Sequence, residues 1–470
     1  WRRPQDLEFV YDVGWTHSIC PVDEIIPNPD GESAFIRMRM PCFRDCQVKG
    51  GVQVGSPNYM ENAFELLAEP GDWYFDRTDR MLYCIAMDGQ DMNHVEAILP
   101  RVECLLSLEG TLDAPISDIT FEGLAFRHTT WLKPSRDGHA ETQANLYRNP
   151  DDRALPHSCF LKPQAAVTLS AAHGIAFESC EFRSLGCTAL DMDHGACGNI
   201  VRGCELADIS GTGIQLGGFN IPDAHPDDPR RIVSDNTITA NLFHGIGVEY
   251  RGGVAILAGF VRRTGISCNE IHDCSYTGIS VGWGWGYWDE SSDDRLTYKP
   301  PADYPRFRVP TVASGNRIER NHVHHVLEKL HDGGGIYTLS LQPDSVIRGN
   351  HVHDNGRFDG HRFDQDMLVG SGLTLPKETL KQVETLKGFP GGIYLDEASG
   401  GFDVSENIVY HVAVAFNYHD VGMNGRFRTN RIHDNHFNIP PDDPRFPAGL
   451  AEQAGLPPAY RHLLEKGDPS

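Results

Sequence analysis

Two aspartates sit beside a duplicated glycine-rich strand. Asp332 precedes Gly333-Gly334-Gly335-Ile336-Tyr337-Thr338, and Asp396 closes Gly391-Gly392-Ile393-Tyr394-Leu395-Asp396. Cleavage of a glycosidic bond needs two carboxyl groups, one to protonate the leaving oxygen and one to act as base or nucleophile, and it needs no cofactor. Asp332 and Asp396 are the pair this spacing offers. An aspartate before glycines is equally at home as a turn former, so Asp332 carries less weight than Asp396. Glu397 is either a solvated neighbour of Asp396 or its true partner. His331 and His419 could orient a carboxylate. Most of the 22 histidines read as structural, because His272, His324, His353 and His433 recur in the pattern Asn-x-Val/Ile-His. The acidic stretch with Asp289, Glu290, Asp293 and Asp294 could hold a calcium ion through oxygen ligands; a solvated acidic loop is the simpler reading.

Strand alternation decides which of these side chains share a face. With Ile393 and Leu395 pointing inward, Tyr394 and Asp396 point out, as do Tyr337 one repeat earlier and Asn417 and His419 one repeat later. Ser280, Gln215, Asp191 and Asp193 extend that face. The expectation is an open external sheet that serves as a track for an oligosaccharide or polysaccharide. Trp283, Trp285, Tyr337, Tyr394, Glu397 and His419 would line the sugar site.

The strands themselves belong to a repeat. Ile175-Ala176-Phe177-Glu178-Ser179-Cys180, Ile200-Val201-Arg202-Gly203-Cys204 and Ile232-Val233-Ser234-Asp235-Asn236 are followed by similar segments as far as Phe427-Arg428-Thr429-Asn430. The shortest steps are roughly 24 residues, the length of one coil of a solenoid. Asn236, Asn269, Asn321, Asn350, Asn407 and Asn430 recur at one turn, where an asparagine can bond its copy about 4.8 Å away. An asparagine ladder with β-branched alternation and many glycines predicts an all-β chain folded as a right-handed parallel β-helix. The helix is expected over 114–437, with insertions near 283–310 and 357–390, the second including a short α-helix at 377–387. Residues 1–113 form a β-rich accessory region, with a β-hairpin over Trp73–Cys84. A tail over 438–470 is helical near 448–465.

Composition narrows the partners. A net charge of −24, from 65 acidic against 41 basic residues, argues against nucleic acid. No stretch of about 18 apolar residues suggests a membrane span. The 12 cysteines lack CxxC pairs, so stacked buried thiols are expected in preference to disulfides or zinc. No basic segment with an apolar core opens the chain at Trp1, which leaves the compartment open. A polymeric substrate favours a secreted or periplasmic location, and the thiols favour the cytoplasm. Oligomeric state is not legible.

Three motifs together resemble a known group: His331 to Thr338, Gly392-Ile393-Tyr394-Leu395-Asp396-Glu397, and Gly278-Ile279-Ser280-Val281-Gly282-Trp283-Gly284-Trp285-Gly286. They are similar to the β-helix glycosidases of glycoside hydrolase family 141. The resemblance implies a glycoside hydrolase of the α-L-fucosidase type or a xylan-acting one, with the family's paired catalytic aspartates falling on Asp332 and Asp396. A polysaccharide lyase or epimerase, or a non-catalytic glycan-binding β-helix, are the alternatives.

Overall fold

The computed structural model describes residues 1–48, 55–149, 159–290, 305–356, 391–419 and 429–465. The expected helix at 377–387, the insertion 357–390, and Asp293 and Asp294 lie outside these residues. Three parallel sheets, each of nine strands, form a parallel β-helix. One coil shows the order: Gly334–Thr338 in the first sheet, Leu341–Arg348 in the second, His351–His353 in the third. Inward positions stack on their copies, as Ile238, Ile266, Ile318, Ile347 and Val404 do in register. All five are buried. Each such side chain contributes about 1.5–3 kcal/mol relative to remaining exposed.

The asparagine ladder is present, but its ends are not those expected. It runs Asn241, Asn269, Asn321, Asn350, Asn407, Asn435, each Nδ2 donating to the next Oδ1 at 2.9 to 3.1 Å. Asn236 belongs to a second column with Asn199, and Asn430 accepts from the Phe402 amide. At both ends of the ladder the second-sheet strand is only three residues long, Thr237–Thr239 and Arg431–His433, so asparagines at both of its turns, such as Asn236 and Asn241, offer two registers in sequence. The residue before each ladder asparagine, Ala240, Cys268, Arg320, Gly349, Glu406 and Asp434, has φ between 54° and 65°. Non-glycine residues hold this left-handed bend at a cost, which the ladder bonds offset. Cys180 and Cys204 head the same column as thiols: the Cys180 amide donates to Cys204 Sγ at 3.3 Å, and the Cys204 amide to Asn241 Oδ1 at 2.9 Å.

The accessory region differs from expectation. The first coil opens at Leu106–Glu109, before residue 114, and the strands His139–Gln143, Leu146–Arg148 and Phe160–Leu161 lie outside the solenoid sheets. His139–Gln143 pairs with Thr16–Pro27, and Leu146–Arg148 and Phe160–Leu161 extend the same antiparallel sheet. Accessory and coil segments therefore interleave along the chain. The Trp73–Cys84 hairpin forms, with Tyr74 opposite Tyr83. The tail lies along the third sheet: Leu456 and Leu463 pack on Leu242, and the Gly455 amide donates to the Arg320 carbonyl at 2.8 Å. Among the described residues no helix is long and apolar enough to cross a membrane.

Candidate active site

Asp396 follows the strand Gly391–Leu395, its amide donating to the Thr338 carbonyl of the previous coil at 3.1 Å. Its carboxylate is held from two sides. Tyr337, in register with Tyr394, donates its hydroxyl to Asp396 Oδ2 at 2.5 Å. His419 Nδ1 lies 2.9 Å from Asp396 Oδ1 and 3.8 Å from Glu397 Oε1. Asp396 remains 13% and Glu397 17% exposed at the side chain, so both reach solvent.

Asp332 enters the strand one coil earlier, and the turn around it is fixed by the accessory region. The carbonyl of Gly14, between the strands Glu8–Val13 and Thr16–Pro27, accepts from the amides of His331 and Asp332 at 2.9 and 2.8 Å. A Cβ at Gly14 would stand 3.2 Å from Asp332 Cβ, which leaves little room for any larger residue. Tyr276 donates its hydroxyl to the Asp332 carbonyl at 2.7 Å.

Gln143 joins the two sides. Its Nε2 lies 3.2 Å from the hydroxyls of both Tyr276 and Tyr337. A continuous path of hydrogen bonds thus links the Asp332 carbonyl, Tyr276, Gln143, Tyr337 and the Asp396 carboxylate. The strand carrying Gln143 is itself anchored through buried Glu141, whose carboxylate accepts from the amides of His17 and Asn145. Burial first, and then the charge of Asp396, push the Tyr337 and Tyr394 phenols well above their ordinary pKa; burial and then Asp332 do so for Tyr276. The charges of Asp332 and Asp396 both contribute to raising Tyr276 and Tyr394. These phenols stay protonated and act as donors.

Other expectations need correction. The first sheet is not an open track. Lys162 Nζ bonds Asp191 and Asp193, each at 2.6 Å, and Gln215 donates to the Pro163 carbonyl at 3.2 Å. Tyr337, Tyr394, Asn417 and Ser280 are buried as well. Alternation assigns a face; it does not reveal that the chain's own Gln143, Lys162 and Pro163 lie over it. Trp283 is 1% exposed, wedged edge-on between Phe160 and Phe219, and is a core residue in place of a sugar platform. Trp285, packed on Trp283, keeps an exposed part. Asp289 is buried and its Oδ2 accepts from the Leu341 amide at 3.0 Å, so it anchors the chain and is not part of a solvated acidic loop. Gln143, Gly14 and Tyr276 were not legible as site residues: Gln143 lies 133 and 194 positions from the tyrosines it touches.

No protein-family model and no curated protein matches the chain. A solved structure described as a glycoside hydrolase is similar to it over 98% of this chain and 72% of that one, at 28% identity and a TM-score of 0.74. XylC in complex with xylose covers 76% of this chain and 48% of its own, at 11% identity and TM-score 0.40. The GH136 lacto-N-biosidase from Eubacterium ramulus covers 71% and 59%, at 10% and 0.31. The last two likenesses are too slight to carry an argument; the first extends over nearly the whole chain, accessory region included.

Proposed function

We propose that this chain is a glycoside hydrolase in which Asp396 does acid, base or nucleophilic work and Asp332 is the second carboxyl group. The observation that carries the reading is the Asp396 carboxylate, fixed by Tyr337 and His419 yet open to solvent. A carboxylate held in place by donors on both oxygens is oriented before substrate arrives, which is where much of the rate gain of a positioned group originates. The likeness to a glycoside hydrolase structure over 98% of the chain supports the reaction class. Glu397, against the same imidazole, and Trp285, which keeps an exposed part, are the proposed contacts for the sugar. From the resemblance of the three motifs, an α-L-fucoside is the favoured substrate and a xylan fragment the alternative.

Incubation with a panel of glycans and aryl glycosides, followed by product analysis, tests this. The expected result is new reducing ends and release of fucose. An unsaturated uronate absorbing in the near ultraviolet would instead indicate a lyase, and no product from any member of the panel would favour a binding protein.

Gln143 is a positioning residue in this scheme. Gln143→Leu removes the shared donor of Tyr276 and Tyr337 while leaving each hydroxyl its own acceptor. A stability loss of about 1 kcal/mol is expected, with kcat reduced about tenfold and KM little changed, because the lost contacts orient Asp396 and do not touch the sugar. Steady-state kinetics beside a thermal melt separates the two effects.

A further inference from the structure

Two consecutive rungs of the third sheet carry one tripeptide, His322-Val323-His324 and His351-Val352-His353, paired in register. Val323 and Val352 fill the core, so alternation sets four imidazoles on the outer face. Glu270 stands level with His322 one rung earlier. Stacking explains part of this: His272, His324, His353 and Tyr410 form a column with ring centroids 5.1, 5.1 and 5.0 Å apart and nearly parallel planes. That agrees with a structural role for His272, His324 and His353.

Stacking does not explain how two of the rings face each other. His322 Nε2 lies 2.8 Å from His353 Nε2. Behind them, His322 Nδ1 is 2.7 Å from Glu270 Oε1, and His353 Nδ1 is 2.6 Å from Asp354 Oδ2. A carboxylate on Nδ1 fixes the proton there and leaves the Nε2 lone pair exposed. Two such lone pairs thus point at one another, and His351 offers a third nitrogen within 4.8 Å of both. Carboxylate behind imidazole, with the far nitrogens converging, is the arrangement by which proteins orient histidine ligands on a metal ion.

We propose that His322, His351 and His353 form a binding site for a transition-metal ion, with zinc as the ion and Glu270 and Asp354 orienting two of its ligands. Three imidazoles suit zinc and disfavour calcium or magnesium, which take oxygen. Zinc bonds of about 2.0–2.1 Å in tetrahedral geometry set ligand nitrogens roughly 3.3 Å apart, so His322 and His353 part by about half an ångström to admit it. Their side chains are 24% and 15% exposed, which leaves a path for entry. The ion would join two rungs close to the tail, where Phe446 lies 6.2 Å from the His351 ring. Its role is to brace the late coils, on a different sheet from Asp396.

The test uses the full chain stripped with a chelator and dialysed against micromolar zinc or magnesium. About one zinc per chain is expected after gel filtration, with a rise in melting temperature that magnesium does not reproduce. His322→Asn and His353→Asn should each weaken zinc binding by at least about tenfold with an unchanged far-ultraviolet circular dichroism spectrum. Zinc retained at wild-type affinity by the double variant, or no zinc bound by the wild type, overturns the proposal. Should the variants fail to fold, modification of wild-type histidines by diethyl pyrocarbonate decides: zinc is expected to protect His322 and His353, and equal modification with and without zinc counts against the site.

Discussion

Asp396→Asn lowers turnover of an aryl glycoside by about 10³-fold, within the range carried by a positioned acid, base or nucleophile. Its melting temperature stays close to wild type. The substitution is nearly isosteric, and the Asn carbonyl oxygen still accepts from the Tyr337 hydroxyl that now sits 2.5 Å from Oδ2. What it removes is the charge and the titratable proton, and with them the attraction to His419. Companion variants identify the second carboxyl group. If Asp332 is the partner, Asp332→Asn falls by a similar factor and Glu397→Gln by less than about tenfold; the reverse pattern transfers the role to Glu397. Activity of Asp396→Asn near the wild-type level would remove Asp396 from the chemistry altogether.

A second large effect concerns cohesion between coils. Asn350→Ala is expected to cost about 3–5 kcal/mol, at the upper end for a single substitution. Asn350 is buried in mid-ladder. Its Nδ2 donates to Asn407 Oδ1 and to the Ile318 carbonyl, each at 2.9 Å. Its Oδ1 accepts from the amide and side chain of Asn321 at 2.9 and 3.0 Å. Truncation strips a partner from each of these groups where water has no access, and the loss exceeds that of the side chain's own bonds. Because each coil touches only its neighbours, the damage is local, and denaturant unfolding should split, with the coils after Asn350 melting first. Asn435→Ala, at the partly buried end of the ladder, provides the comparison and should cost markedly less. Equal and small losses at both positions would mean that apolar stacking alone holds the coils together.

The solenoid was legible because its causes are local and repeated. A β-branched residue pointing inward and an asparagine at the bend recur in every late coil, and each copy reinforces the reading of the others. Even so, the ladder was placed one turn away at both ends, since Asn236 and Asn430 satisfy the same pattern as Asn241 and Asn435 from the opposite end of a short strand. The site was half legible. Asp396, Tyr337 and His419 come together because strand register and alternation place them, and both follow from the duplicated glycine strand. The covering of the first sheet by segments that include Gln143 and Phe160 was not legible, and Trp283, Tyr337 and Tyr394 are buried where an open platform was expected. Gln143 bonds Tyr337 across 194 positions, a distance over which composition and periodicity carry no information.

That same bond has a consequence for biosynthesis. Gly14 and Gln143 leave the ribosome early, whereas His331, Asp332 and Tyr337 follow much later and Asp396 later still. Nascent accessory strands must therefore wait, unsealed along one side, until the distal coils have wound. The proposed site is complete only once Asp396 and His419 have emerged behind those strands, so a chain cut before Asp396 would lack it and leave its accessory strands prone to capture by chaperones.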